Sequence, residues 1–101
     1  MAPKHTRLTY KCTLIKKRCT VTKKHPRIGP KGSTVEMKAT ISEATITFKN
    51  GSPFSQSTFT VKKGSPITAT VVNGNKEYVY DLDCKCKDRT KFAASPSMIV
   101  P

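Results

Sequence analysis

Tryptophan, long apolar runs and acidic side chains are absent or scarce in this chain. There is no Trp among its 101 residues, so the core must come from scattered Val, Ile, Leu, Phe and Tyr. The longest apolar stretches fall far short of the roughly 20 residues that a membrane-spanning helix needs. Residues 1–7 contain no apolar segment of the kind found in signal peptides. We therefore expect a cytoplasmic protein with no membrane span.

The side chains that usually carry enzyme catalysis are also few. The only histidines are His5 and His25, both in basic, turn-like surroundings, and there are six acids in all. The sequence has no phosphate-cradling glycine loop, no His-Glu-x-x-His motif and no Ser/His/Asp set. Asp81 and Asp83 share one face of a predicted strand, where a solvated surface explains them better than a catalytic pair. General acid–base chemistry has little to draw on, and we predict that the protein is not an enzyme.

The most regular feature that is present is a period-two alternation of apolar and polar residues, which is typical of half-buried strands. Segments with this alternation begin near Leu8, Cys19, Val35, Ala44, Phe59, Ile67, Tyr78 and Ser97. Turn residues separate them at 50–53 and 63–66, and Asn-Gly-Asn at 73–75 is a strong hairpin signal. About eight short strands at nearly regular spacing predict one all-β domain over residues 1–101, a sandwich or small barrel.

The second half of the chain has an order of segments found in a known family. The pieces are residues 44–48, 52–54, 59–64 and 78–80, then Cys84 and finally residues 96–100. In this order an aromatic strand leads to a Cys, and a variable loop and a short last strand follow it. The order resembles that of the cupredoxin fold. The resemblance implies a Greek-key β-sandwich. It does not extend to a type 1 copper site, which needs two His, one Cys and a weak axial Met, because no His follows Cys84 and none occurs in residues 40–43.

The four cysteines form two groups. Cys12 and Cys19 flank the first hairpin, where a two-residue turn at 15–16 places them opposite each other, and Cys84 and Cys86 form a Cys-x-Cys. The cupredoxin resemblance implies that both groups lie at one end of the sandwich. We predict a thiolate site there for zinc or copper(I), with Cys12, Cys19, Cys84 and Cys86 as ligands. Two alternatives stay open: disulfides, most easily between the two groups, and free thiols.

Positive charge is concentrated in the first third of the chain. The net charge is +13, and residues 1–38 hold 11 of the 19 Lys and Arg but only one of the six acids. Such a field attracts nucleic acid or an acidic protein, although a solvated surface accounts for it equally well. The predicted polyanion-binding residues are Lys16, Lys17, Arg18, Lys23, Lys24, Arg27 and Lys31. Only Phe54 and Phe92 are expected to be exposed rings, so binding would involve backbone phosphates rather than stacked bases.

These observations favour a small binding module with a thiolate metal site at the loop end of a cupredoxin-like sandwich. The first alternative is a basic protein that binds nucleic acid through residues 16–31. The second is a structural or assembly protein whose basic surface docks an acidic partner.

Overall fold

The chain folds into β-strands, as the alternation predicts. The computed structural model describes residues 3–12, 19–40, 43–85, 89–91 and 96–101, with the backbone alone at Cys12 and 89–91. These residues form no helix, and hence none that is long and apolar enough to cross a membrane. They form ten strands: β1 (His5–Cys12), β2 (Cys19–Val21), β3 (Thr34–Ala39), β4 (Glu43–Thr47), β5 (Thr58–Lys62), β6 (Ile67–Thr70), β7 (Lys76–Val79), β8 (Asp81–Lys85), β9 (Arg89–Lys91) and β10 (Ser97–Val100).

The strands form two four-stranded sheets and a two-stranded ribbon. Sheet I has the order β2-β1-β3-β6, and sheet II has the order β5-β4-β8-β9. In sheet I, β1 and β3 are parallel and the other neighbours are antiparallel, whereas sheet II is antiparallel throughout. The ribbon pairs β7 with β10. The fold is therefore all-β and compatible with a sandwich.

Every second side chain along the strands of both sheets points inward, and these side chains fill one core. Across it, β1 and β2 contact β8, and β3 contacts β5. The largest fully buried side chains include Leu8, Tyr10, Ile28, Met37, Ile46, Tyr80 and Met98. The placement of Met98 and the strand tyrosines in the core confirms what the alternation indicates, because a residue at every second strand position faces the same side.

Phe54 was expected to be an exposed ring, and this expectation is wrong. Its side chain is only 3% exposed and packs edge-on against Phe59, with ring centroids 5.5 Å apart. The Ser52 hydroxyl accepts a hydrogen bond from the Phe54 amide at 3.0 Å and donates one to the Gln56 carbonyl. These bonds curl the loop so that the ring turns inward. Phe92 lies outside the described residues.

The chain path differs from the prediction at two places. Residues 78–84 were expected to form one strand, but the chain changes partner at Tyr80, so that β7 pairs with β10 and β8 pairs with β4. Burial continues to alternate through this change, which is why the sequence shows no break there. The hairpin predicted at 73–75 is wrong, since β6 and β7 pair in different sheets. The positive φ expected in that turn does occur, at Asn75.

Candidate functional site

The cysteines lie on facing strands, and two of them are bonded to each other. Cys12 and Cys19 are Cα partners in the β1–β2 pair, as the predicted two-residue turn requires. Cys19 on β2 forms a disulfide with Cys84 on β8, with Cα atoms 5.4 Å apart and a sequence separation of 65. Both side chains are fully buried. The disulfide therefore joins sheet I to sheet II and pairs one cysteine from each group.

This disulfide uses two of the four sulfurs that the predicted metal site requires. A metal is bound by thiolate, not by a disulfide sulfur, so Cys19 and Cys84 become ligands only in the reduced protein. Cys86 lies outside the described residues, as does the side chain of Cys12. Within the described part of the chain, no group of three or more His, Cys, Asp and Glu could hold a metal ion. The zinc or copper(I) site stays a prediction for the reduced protein.

The disulfide also bears on the expected location of the protein. Disulfides persist in oxidising compartments and are rare in the cytosol. The cytoplasmic location therefore stays a prediction, and the bond between Cys19 and Cys84 does not favour it.

The predicted polyanion-binding residues lie along the connection between β2 and β3. Of the seven, Lys16, Lys17 and Arg18 lie outside the described residues, whereas Lys23, Lys24, Arg27 and Lys31 are all exposed. Residues 24–28 run parallel to β10, and the Ile28 amide donates to the Ile99 carbonyl at 2.9 Å. The connection is thus an ordered extended segment, which we call the basic connection (residues 23–31).

Three further cations on the outer face of sheet I were not among the predicted residues. Arg7 and Lys11 point outward from β1, and Lys38 points outward from β3 beside Thr9. Neighbouring strands lie about 4.8 Å apart and two residues span about 6.7 Å along a strand. Arg7 and Lys11 therefore lie about 13 Å apart along β1, and Lys38 lies on the neighbouring strand beside the midpoint between them. We call this surface the basic face. The alternation of Arg7, Thr9 and Lys11 in the sequence could have shown the β1 part of this face, whereas Lys38 joins it only through the pairing of β1 with β3.

The basic face contains little negative charge. Among the described residues of this face the acid is Glu36, whose carboxylate lies 3.7 Å from the Arg7 guanidinium. Lys11 and Lys38 make no ion pair with any described residue. The remaining outward positions of sheet I are mostly threonines, such as Thr20. No Phe, Tyr or Trp ring projects from the described part of this face, where the one ring is the imidazole of His5, which lies 2.7 Å from the Thr34 hydroxyl. The face therefore offers mainly hydroxyls and cations.

The outer face of sheet II has a different electrostatic character, and we call it the paired face. Lys85 lies 2.9 Å from Glu43, and Lys49 lies 3.0 Å from Asp81. Asp83 lines a shallow cavity of about 210 Å³ together with Glu43, Thr45 and Lys85. Two of the acids on the described part of this face thus form close ion pairs with lysines.

A polar cluster beside the ribbon links His25, Ser97 and Glu77. The Ser97 hydroxyl donates to the Glu77 carboxylate at 2.7 Å, and His25 Nδ1 lies 2.7 Å from the same hydroxyl. A hydrolytic triad places the histidine between the serine and the acid. Here the serine lies in the middle and is fully buried, so the cluster fastens the basic connection to β10 and β7. Because the three residues are far apart in sequence, no local pattern could have shown it.

Two tyrosine hydroxyls are buried in the core without a described hydrogen-bond partner. They belong to Tyr10 and Tyr80. Burial raises the pKa of Tyr80 to about 12. The pKa of Tyr10 is raised well above its usual value, mainly by burial and to a smaller extent by the neighbouring Tyr80 hydroxyl. Both side chains are therefore neutral at physiological pH, and neither is suited to act as a base.

No family model, curated protein or solved structure matches this chain. Its function is therefore inferred from the placement of its own residues, above all from the contrast between the basic face and the paired face.

Proposed function

We propose that this protein is a small non-enzymatic module that binds the phosphate backbone of nucleic acid through its basic face and basic connection. The observation that carries the proposal is the unequal distribution of ion pairs. Glu43 and Asp81 neutralise lysines on the paired face, whereas Lys11 and Lys38 on the basic face have no ionic partner among the described residues. Among the described side chains, the cations without an acidic neighbour therefore include two of the three on the basic face.

The chemistry of the basic face favours phosphates over bases. Lysine and arginine side chains release condensed counterions when they contact phosphates, which drives binding that weakens as salt rises. Threonine hydroxyls also donate hydrogen bonds to phosphate oxygens. The described face has no Phe, Tyr or Trp ring on which bases could stack, so its cations and hydroxyls are the groups available for binding. Binding is therefore expected to depend on charge and to tolerate any sequence.

For the fold, we propose the Greek-key, cupredoxin-like arrangement within the all-β architecture. It is supported by the order of β8 with Cys84, the following loop and the short last strand β10. In this arrangement the module contains no blue-copper site, and its disulfide joins the two sheets where the family carries its cysteine ligand.

Binding to two unrelated DNA duplexes of equal length, measured by fluorescence anisotropy over a range of salt concentrations, tests the proposed function. The test variant is Arg7→Gln/Lys11→Gln/Lys38→Gln. The matched control is Lys49→Gln/Lys62→Gln/Lys85→Gln, which removes the same charge from sheet II. Each lost phosphate contact should lower the slope of log affinity against log salt by about 0.9. The test variant should therefore lose about two to three units of slope, and the control little.

Circular dichroism of both variants establishes that they fold, since surface ion pairs contribute only about 0–1 kcal/mol each. Equal losses in the two variants would show that net charge alone attracts the duplex, and would contradict the assignment to the basic face. A wild-type affinity that differs strongly between the two duplexes, or that does not fall with salt, would contradict backbone recognition.

A further inference from the structure

Strand β6 is an uncharged open edge in a highly charged protein. Residues 64–75 contain no charged side chain, although a quarter of the whole chain is charged. Edge strands are usually protected against pairing by lysines or other charges. The other described edges are protected. Strands β5, β7 and β9 each contain a Lys or Arg, and β2 is fastened to sheet II by the disulfide. The uncharged strand β10 is covered by residues 24–28, whose backbone bonds to that of Ser97 and Ile99. Thus β6 is the described edge without such protection.

The backbone groups at this edge point away from the sheet. The Val71 amide donates to the Ser33 carbonyl at 2.8 Å, which places the 33–71 pair at a hydrogen-bonded position of the β3–β6 ladder. Because such positions alternate in an antiparallel pair, the N–H and C=O groups of Thr68 and Thr70 face outward. Both residues are exposed. No described residue bonds to their backbone, whereas the next outward amide, at Val72, donates to the Pro53 carbonyl at 2.8 Å.

We propose that β6 is a strand-addition site for an extended segment of an acidic partner protein. In strand addition, backbone hydrogen bonds to a free edge supply affinity, and the flanking side chains supply specificity. Lysines stand at both ends of the edge: Lys62 and Lys63 precede β6, and the Lys31 side chain lies beside Gly74, close to where a Cβ on that glycine would be. The matching segment has an uncharged, β-branched centre of about four residues with acids on either side.

Charge complementarity favours an acidic partner over a second copy of this chain. In an antiparallel pair of two β6 strands, Lys62 and Lys63 of one copy would lie near Lys31 and Lys76 of the other. Like charges at opposed positions are destabilising, and each chain also carries a net charge of +13. An acidic segment turns both of these clashes into attractions.

The test uses a labelled eight-residue peptide with Asp-Glu at each end and Val-Thr-Val-Thr between, together with a form N-methylated at the central amides. Thr68→Pro removes an outward N–H, a change that sheet edges tolerate. Thr60→Pro is the matched control, because Thr60 is the equivalent outward residue of β5. Losing one or two hydrogen bonds should weaken binding by about tenfold for Thr68→Pro and for the methylated peptide. Thr60→Pro should bind as the wild type does.

Hydrogen exchange gives an independent measurement on the wild-type protein. Bound peptide should slow exchange of the Thr68 and Thr70 amides and leave the Thr60 amide unchanged. If Thr68→Pro does not fold, Thr68→Glu should weaken binding by repelling the acidic peptide, and Thr60→Glu should weaken it less. Equal binding of the methylated peptide would overturn the proposal, since attraction would then be purely ionic. Association of the protein with itself, abolished by Thr68→Glu, would assign the edge to a second copy instead.

Discussion

Lys85 and Lys49 on the outer face of sheet II lie about 3 Å from carboxylates, whereas Lys11 and Lys38 on the outer face of sheet I have no described carboxylate partner. The inner faces of the same two sheets are alike, since both present alternating apolar side chains to one core. Inner faces are constrained by the common need to bury apolar surface. Outer faces are free of that need, so the difference between them is the basis of the proposed binding surface.

The largest expected effect comes from breaking the bond that holds the two sheets together. The double variant Cys19→Ala/Cys84→Ala should lower the free energy of unfolding by about 4 kcal/mol, because the disulfide closes a long loop and restricts the unfolded chain. Urea denaturation of the oxidised wild type and the variant measures this difference. A reducing agent should destabilise the wild type by more than it destabilises the variant, which retains only Cys12 and Cys86. Equal stability of the two oxidised proteins would show that packing alone joins the sheets.

The inner faces could be predicted from the sequence, because alternation reports directly which strand residues face a core. Leu8, Met37 and Ile46 are buried as this pattern requires. The change of partner at Tyr80 could not be predicted, since β7 and β8 keep the same alternation while pairing with different strands. Phe54 was misassigned because its inward turn depends on loop hydrogen bonds made by Ser52, which no periodicity reports.

The candidate site was predicted only in part, for a related reason. The pairing of Cys12 with Cys19 across the first hairpin follows from a short turn, so it could be predicted from the neighbouring sequence. The bond from Cys19 to Cys84 joins strands in different sheets, so the sequence left disulfide, metal and free thiol open. The basic face was missed because Lys38 joins Arg7 and Lys11 only through the parallel pairing of β1 and β3. Pairing between distant strands is a tertiary property.

A smaller effect is expected in the core, where the hydroxyls of Tyr10 and Tyr80 are buried. A tyrosine in the unfolded chain ionises near pH 10, whereas the pKa of about 12 keeps Tyr80 protonated to a higher pH in the folded protein. The unfolded state therefore binds fewer protons than the folded state above pH 10, and stability falls as pH rises toward 12. The loss at Tyr80 is on the order of 2–3 kcal/mol.

Denaturation of the wild type and of Tyr80→Phe at pH 8 and at alkaline pH tests this expectation. At pH 8 the two should differ by less than about 1 kcal/mol, because the Tyr80 hydroxyl makes no hydrogen bond of ordinary geometry and interacts only weakly with that of Tyr10. Toward pH 12 the variant should lose less stability than the wild type. Identical alkaline losses would show that the Tyr80 hydroxyl is not the group responsible.

The smallest expected effect compares one acid on each outer face. Glu43→Gln breaks a contact of 2.9 Å with Lys85, whereas Glu36→Gln breaks one of 3.7 Å with Arg7. Exposed ion pairs contribute about 0–1 kcal/mol, and the shorter pair, with the less exposed carboxylate, should lie at the upper end of that range.

Denaturation of the two variants at low salt and at about 1 M salt measures the difference, since concentrated salt screens exposed pairs. Glu43→Gln should be the less stable at low salt, and the two should converge at high salt. Equal stability at low salt would mean that the acids on the two faces are equally well paired. The contrast between the basic face and the paired face would then depend on the number of acids on each face rather than on how closely each acid is paired.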